Sequence, residues 1–264
     1  MTLVSKVKVE ASLKEAVTKA VGQIGGFEQF IKKGDRVLLK PNFNTADPYP
    51  ASSDPSFLKA VAELVYQAGA SEVIIGDSSM MTMRTRSVME KLGILNFEKE
   101  ISPAPKILVF EEANWVKKKI PQGKYLKTVS LPEILDKVDK LILLPCLKTH
   151  FLAQFTGSLK IAVGFVKPIE RLRLHSNHLS EKVAELNLLI KPDLIIMDGR
   201  KCFITKGPMD GCLAEPGLIL ASKSRAAIDI EGIKIIQGFE GSSLANIKPK
   251  DILQIKRARE LGIA

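Results

Sequence analysis

The sequence predicts an α/β protein whose mostly parallel, layered β-sheet carries helices on both faces. Short apolar segments typical of buried strands alternate along the chain with amphipathic segments that have helical spacing. The first three of these segments form a strand, a helix and a second strand within residues 36–75, and such a unit makes its two strands parallel. Repeated alternation of this kind indicates a layered sheet covered by helices.

The elements follow one another with short connections. In the first half we predict strand 36–40, a polar loop over 41–55, helix 56–68, strand 72–75 and strand 106–110. Gly69 ends the helix, and Asp77 is positioned to cap a helix that follows the second strand. The Lys-rich stretch 115–128 is less regular and predicts an antiparallel hairpin or a lid.

The second half continues the alternation. We predict a helical turn over 131–138, strand 140–145, helix 179–190, strand 193–197, strand 217–221 and helix 225–237. No internal repeat or flexible linker divides the chain. We therefore expect one domain over residues 1–264, with a small second lobe from the middle of the chain as the alternative.

Composition sets limits on the function. The net charge of +10 comes from 39 basic and 29 acidic residues, but the lysines are spread along the chain and aromatic residues are only 6%. The charge leaves a non-catalytic scaffold or nucleic-acid binder as a third hypothesis, which is disfavoured because a basic stripe with interleaved aromatic rings is missing. No apolar run reaches the roughly 20 residues of a membrane span, and no leader pattern precedes the first strand, so we expect a cytoplasmic protein. The Lys, Glu and Ile content also suits a thermophile.

The three cysteines exclude two kinds of framework. They show no C-x-x-C spacing and cannot form a paired disulfide set. The closely spaced cysteines of a ferredoxin are absent as well, so no iron–sulfur cluster is expected within this chain.

The most informative pattern is the polar residues that follow predicted strands. In open α/β sheets, ligands bind beyond the carboxyl ends of the strands, where these segments meet. Four strands end in such clusters, which contain Lys40, Asn42 and Thr45; Asp77 and Ser78; Lys148, Thr149 and His150; and Asp198. A second hydroxyl-and-lysine pair follows at Ser158 and Lys160. The sequence thus predicts a polar ligand site at one edge of the sheet.

The residue types suggest roles at this site. Lys40 and Lys148 supply ammonium groups for a carboxylate or phosphate, and hydroxyl and amide groups nearby orient the ligand. His150 is a candidate for proton transfer, and Asp198 for orienting the ligand or acting as a base. As a structural alternative, each of these side chains reaches the surface or caps a helix. The glycine patterns of P-loops and of dinucleotide-binding folds are absent.

A metal site is a second hypothesis. His175 and His178 precede the predicted helix 179–190, and on a helix their spacing of three would present both imidazoles to one metal ion. Cys146, His150 or Asp198 could add further ligands. No standard zinc spacing supports this, so the alternative of surface and capping residues stays open. The metal would be a divalent or transition ion.

Several ordered motifs carry a family resemblance. The segments 37–42, 144–150, 157–164 and 191–199, followed by Gly207-Pro208 and by Ala226, Ala227 and Asp229, resemble the domain-of-unknown-function family 362 over nearly the whole chain. Members of that family occur alone or fused to ferredoxin-type modules, and the resemblance therefore implies redox- or metal-linked metabolism. This chain is similar to the stand-alone form, and it has Lys160-Ile161 where the family often has Lys-Asn.

These observations support two functions. The first is a protein, or an enzyme, that binds a small anionic metabolite in a strand-end cleft. The alternative is a metal- or redox-linked protein that acts with an iron–sulfur partner.

Overall fold

Sheet strands and helices alternate along the chain in the computed structural model, which describes residues 3–263. The strands are β1 Val4–Lys8, β2 Arg36–Lys40, β3 Glu72–Asp77, β4 Lys106–Val109, β5 Trp115–Lys119, β6 Thr128–Pro132, β7 Lys140–Leu143, β8 Cys146–His150, β9 Gln154–Thr156, β10 Leu194–Phe203, β11 Leu213–Ala214 and β12 Leu218–Ser222. The helices are α1 Leu13–Gly22, α2 Pro55–Gln67, α3 Thr85–Lys91, α4 Phe97–Glu100, α5 Arg171–Ser176, α6 Leu179–Leu186, α7 Arg225–Gln237 and α8 Leu253–Glu260.

Ten strands form one sheet with a parallel centre. Along the sheet the order is β1, β12, β10, β7, β2, β3, β4, and β8, β9 and β11 attach at the carboxyl end of β10. Neighbours from β10 to β4 are parallel, whereas β12 and β1 add to the other edge in antiparallel pairing. The predicted fold class is confirmed.

Alternate residues of the central strands pack into two cores, one on each face. Leu38 of β2 belongs to the core that α6, α7 and α8 cover, and its neighbours Val37 and Leu39 belong to the core under α1, α2 and α3. Successive side chains of a strand point to opposite faces, so an apolar run such as Val37-Leu38-Leu39 is needed where both faces are covered. No helix in the described part of the chain is long and apolar enough to cross a membrane.

Local signals fix the helix ends. The Asp54 carboxylate accepts the backbone N–H of Ser56 at 2.7 Å and begins α2, with Pro55 in the first turn. Gly69 follows α2 with a φ of +106°, a conformation that suits glycine. Ser224 caps α7 in the same way as Asp54 caps α2.

Several predicted boundaries were wrong. Residues 146–150 form a strand rather than a loop, because they pair with β10 on one side and with β9 on the other. β10 continues to Phe203 and does not end before Asp198, since β12 and the short β11 pair with its second half. Asp77 does not cap α3, which begins at Thr85. The stretch 115–128 forms the first strand and turn of the hairpin β5–β6, as predicted.

Candidate functional site: a cationic cleft at the strand ends

A cleft of about 490 Å³ opens beyond the carboxyl ends of β2 and β3. Its other walls come from β8 and from residues 160–176. Eight of the fourteen predicted site residues line it: Lys40, Asn42, Asp77, Ser78, Lys148, His150, Lys160 and His175. The strand-end argument therefore brought together residues that are far apart in the sequence.

β8 supplies two of these side chains because it is an extended strand. Lys148 and His150 are two residues apart, so they share the face that looks into the cleft, whereas Thr149 points to the opposite face. Lys148 is 1% exposed, and its ammonium group donates a hydrogen bond to the carbonyl oxygen of Ala51. One of its three N–H donors is used in this bond, so two remain for other acceptors.

A tight turn positions Lys160. The buried Asp229 carboxylate of α7 accepts the backbone N–H of Ser158 at 2.6 Å and that of Leu159 at 3.0 Å. Burial raises the pKa of Asp229 to about 6 in spite of these bonds. Gly157 is needed in this turn because a Cβ there would lie 2.4 Å from an oxygen of Asp229. The turn fixes the backbone two residues before the lysine.

Lys40 and Asp77 form a buried ion pair at the floor. The Lys40 ammonium lies 2.6 Å from a carboxylate oxygen of Asp77, and both side chains are at most 2% exposed. The other oxygen of Asp77 accepts the backbone N–H of Phe43 at 2.7 Å. Gly164 passes directly over the pair, since a Cβ there would lie 2.5 Å from the Lys40 nitrogen. The charge of Lys40 is thus neutralised within the fold.

Arg171, at the start of α5, adds a cation whose donors are all used. Its guanidinium donates to the carbonyl oxygens of Val166, Ser78, Ser79 and Gly164, and to the Ser78 hydroxyl at 2.6 Å. A guanidinium has five N–H donors, so none is left for a ligand. Arg171 therefore holds the loop after β3 against residues 164–166 and contributes positive potential rather than direct contacts.

Lys148 and Lys160 differ from Lys40 because neither is within salt-bridge distance of a carboxylate in residues 3–263. Burial lowers the pKa of Lys148 to about 8. Burial, with repulsion from Lys148 and Arg171, lowers the pKa of Lys160 to about 8 as well. Both groups are still mainly protonated at neutral pH. Two buried positive charges therefore lie in one cleft without a carboxylate at salt-bridge distance among the described residues, and Asp47 acts on Lys148 only from farther away.

The backbone sets the tautomer of His150. Its Nδ1 atom accepts the backbone N–H of Leu152 at 3.1 Å and that of Ala153 at 3.2 Å. Nδ1 therefore carries a lone pair, and the proton of the neutral ring lies on Nε2. Burial, followed by repulsion from Lys160 and Lys148, lowers the pKa of His150 to about 2. His150 is a fixed hydrogen-bond donor at Nε2 and a poor base.

His175 has the opposite tautomer. Its Nδ1–H donates to the carbonyl oxygen of Arg171 at 2.8 Å, one helical turn earlier. Nε2 of the neutral ring is therefore the free acceptor. His175 is partly exposed to solvent, and the partial desolvation of its ring lowers its pKa below the usual value, which Lys160 and Arg171 lower further. In the cleft, Nε2 of the neutral His150 ring thus carries a proton, whereas Nε2 of the neutral His175 ring carries a lone pair.

Four other predicted residues lie outside the cleft lining. Asp198 is in the middle of β10, where it accepts hydrogen bonds from Tyr49 at 2.8 Å and pairs with Arg200 at 2.7 Å, so its charge is compensated elsewhere. Thr45 closes its own loop by donating to Asp47, and Ser158 donates to the carbonyl oxygen of Arg225. The hydroxyl of Thr149 is buried on the far face of β8.

The predicted metal ligands do not converge. Among residues 3–263, no three His, Cys, Asp or Glu side chains form a group that could hold a metal ion. Cys146 is buried near Ser53, and His178 is exposed and stacks on Tyr125 at 4.4 Å, while His175 faces the cleft. The helical spacing that motivated the pair fails because α5 ends at Ser176 and His178 lies between two helices.

Sequence reasoning missed part of the site. Arg171 lines the cleft, and so do apolar residues of three loops. Arg171 sits in an ordinary amphipathic segment and gave no signal. Asp229 could have been found, because it belongs to the ordered motifs that carry the family resemblance.

Fold and site together define an α/β protein with a cationic cleft at the carboxyl ends of its parallel strands. Comparison with known sequences agrees with the motifs: the model of the domain of unknown function DUF362 matches residues 37–234, and the chain belongs to this family. A thylakoid-associated protein of Synechocystis sp. is 30% identical over 234 residues, which are 86% of this chain and 70% of that protein.

Two solved structures are more distantly similar. The lactate racemase apoprotein from Thermoanaerobacterium thermosaccharolyticum has a TM-score of 0.49 and 12% identity, covering 87% of this chain and 57% of that one. A protein from Thermotoga maritima has a TM-score of 0.46 and 14% identity, covering 78% and 55%. This chain spans little more than half the length of either protein.

Proposed function

We propose that this protein binds a small anionic metabolite, with a phosphate or carboxylate group held by Lys148 and Lys160. The supporting observation is that two buried ammonium groups face one cleft without a carboxylate partner in the described residues. A buried charge without a partner is costly, and a bound anion removes that cost while it gains charge-assisted hydrogen bonds. The donor at Nε2 of His150 adds a third contact to the same anion.

The two histidines extend the proposal to proton transfer. Nε2 of His175 is the acceptor that takes a proton from the bound ligand, and Nε2–H of His150 stabilises negative charge that develops on a ligand oxygen. Protonating His150 instead would place a proton on Nδ1, opposite two backbone N–H groups. In this scheme the ligand's negative charge raises the lowered pKa of His175 and makes it a better base.

Calorimetric titration with inorganic phosphate and with short carboxylates tests the binding step. Lys148→Met and Lys160→Met keep the length of the side chain but lose the charge, and each is expected to raise Kd about 10- to 100-fold, from a charge-assisted hydrogen bond of about 1.5–3 kcal/mol. Lys256→Met, at an exposed position of α8, is the matched control and leaves Kd unchanged. Equal affinities in all four proteins would refute the proposal.

Proton NMR tests the histidine roles, since the chain has only three histidines. The ring signals of His150 are expected to stay constant down to about pH 4, because its proton-free Nδ1 is already occupied. The signals of His175 are expected to titrate with a pKa below the usual range, and this pKa is expected to rise when the anion binds. A His150 ring that titrates near pH 6 would contradict the assignment of the donor.

A further inference from the structure

Exposed apolar side chains surround the mouth of the cleft. Ten large hydrophobic side chains are exposed among residues 3–263, and five of them line this one cleft: Met81, Phe151, Leu152, Leu172 and Met209. Single exposed apolar residues are common on protein surfaces, but a contiguous group marks a binding site. The concentration of half of them at one opening therefore calls for an explanation.

These side chains come from four separate segments. Met81 lies in the loop after β3, Phe151 and Leu152 form the turn between β8 and β9, Leu172 belongs to α5, and Met209 lies in the turn 207–210. The turn 207–210 is seated on β8, because a Cβ at Gly207 would lie 2.0 Å from the carbonyl oxygen of Thr149. The apolar side chains thus form a rim that is built from different parts of the fold.

The exposed fractions show how open the rim is. Phe151 is 67% exposed, and Leu152 and Leu172 are each 57% exposed, whereas the lysines of the floor are below 9%. Polarity therefore changes with depth: cations and a histidine donor lie inside, and apolar surface lies at the opening. A ligand that matches this order has a charged end and an apolar end.

We propose that the ligand is an amphiphilic anion, whose head group lies at Lys148 and Lys160 and whose hydrocarbon part lies along the rim. This inference rests on the proposed function for its head group and adds the apolar half. A volume of about 490 Å³ is in the range of sites for ligands of drug size, so a head group and a short chain fit together. Charge complementarity at the floor selects such a ligand over a neutral apolar one.

Titration with two homologous series tests the inference: butyl, hexyl and octyl phosphate, and butyrate, hexanoate and octanoate, all kept monomeric. In at least one series affinity is expected to rise about twofold to fourfold for each methylene group that becomes buried. Leu172→Ser and Met209→Ser are expected to flatten this rise while they leave the affinity for inorganic phosphate unchanged. Leu253→Ser changes an exposed leucine that does not line the cleft and serves as the control.

The outcomes separate this inference from the proposed function. Binding of phosphate or butyrate without any gain from chain length, in either series, overturns the amphiphile and leaves the anion site intact. Absence of any anion binding overturns both. Vesicles that contain phosphatidic acid form a further arm: if the protein sediments with them but binds no monomeric alkyl anion, the rim contacts a lipid surface, and the inference fails. Sedimentation velocity tests whether the rim instead contacts a second copy of the chain. The inference is also overturned if the protein is a dimer that Phe151→Ser dissociates and if affinity does not depend on chain length.

Discussion

Replacing Lys160 by Met is predicted to stabilise the free protein although it removes a residue of the proposed site. The pKa of Lys160 is lowered from 10.5 to about 8, and this difference corresponds to a penalty of about 3 kcal/mol on the charged form in the fold. Methionine keeps the apolar stem and removes the charge. Because the cleft is open to water, we expect about 1–3 kcal/mol of this penalty to be recovered, or about 3–8 °C in Tm.

The pH dependence of this gain has a definite sign. The folded-state pKa lies below the unfolded value, so between about pH 8 and pH 10.5 the unfolded chain holds a proton that the folded protein has released. The free energy of unfolding of the wild type therefore rises with pH across this window. The advantage of Lys160→Met is largest below pH 8 and disappears towards pH 10.5.

Urea denaturation at about pH 7 and pH 10, in buffers without phosphate or sulfate, measures both effects. Anions must be left out because they would bind the wild type and hide the penalty. Lys256→Met, which lies on the exposed side of α8, should stay within about 0.5 kcal/mol of the wild type at both pH values. A Lys160→Met protein that is less stable than the wild type at neutral pH would show that Lys160 is not an unpaired buried charge.

Three further predictions follow from the same contacts. Gly164→Ala inserts a methyl group 2.5 Å from the Lys40 nitrogen and should lower the free energy of unfolding by about 2–4 kcal/mol in urea denaturation. Gly22→Ala is the control, because a Cβ there has no atom within 4 Å and should not destabilise the protein. A Gly164→Ala protein as stable as the wild type would contradict the packing around Lys40. Anion affinity should fall about tenfold or more between pH 7 and pH 9.5 as the two unpaired lysines lose their protons, and a flat calorimetric profile would exclude them as the anchors. Glu185→Gln replaces a buried carboxylate that accepts three backbone N–H groups within residues 124–126. It should lower the free energy of unfolding by about 2–4 kcal/mol, measured as a lower Tm, because an amide N–H then faces those donors.

Periodicity in the sequence predicted the centre of the sheet well. The unit β2–α2–β3 and helix α7 lie within two residues of the predicted bounds, because apolar runs, a cap and a helix-ending glycine all agreed there. The antiparallel edge of the sheet was harder to predict. β1 is short and alternates buried with exposed residues, and its place beside β12 depends on a partner more than 200 residues away. Local patterns contain no information on such pairing.

Strand pairing also decides which of the predicted site residues line the cleft. The prediction placed 148–150 in a loop, so it put Thr149 in the same ligand site as Lys148 and His150. As a strand, β8 sends Thr149 to the opposite face and keeps the other two in the cleft. Asp198 lies outside the cleft lining for a related reason: β10 continues beyond it, so the residue does not lie at a strand end. Only the partners of a strand decide where it stops.

The three lysines of the cleft have different functions because their partners differ. Lys40 was predicted first, as the cation that closes an apolar strand, yet its charge is neutralised by Asp77 at 2.6 Å and enclosed by Gly164. A ligand anion gains little from a cation that is already paired, since the carboxylate repels it as strongly as the ammonium attracts it. Lys148 and Lys160 have no such partner among the described residues, and their charges are the ones that an anion can neutralise. The anionic end of the ligand is therefore expected beside β8 and the turn that Asp229 holds, whereas the Lys40 pair shapes the floor under it.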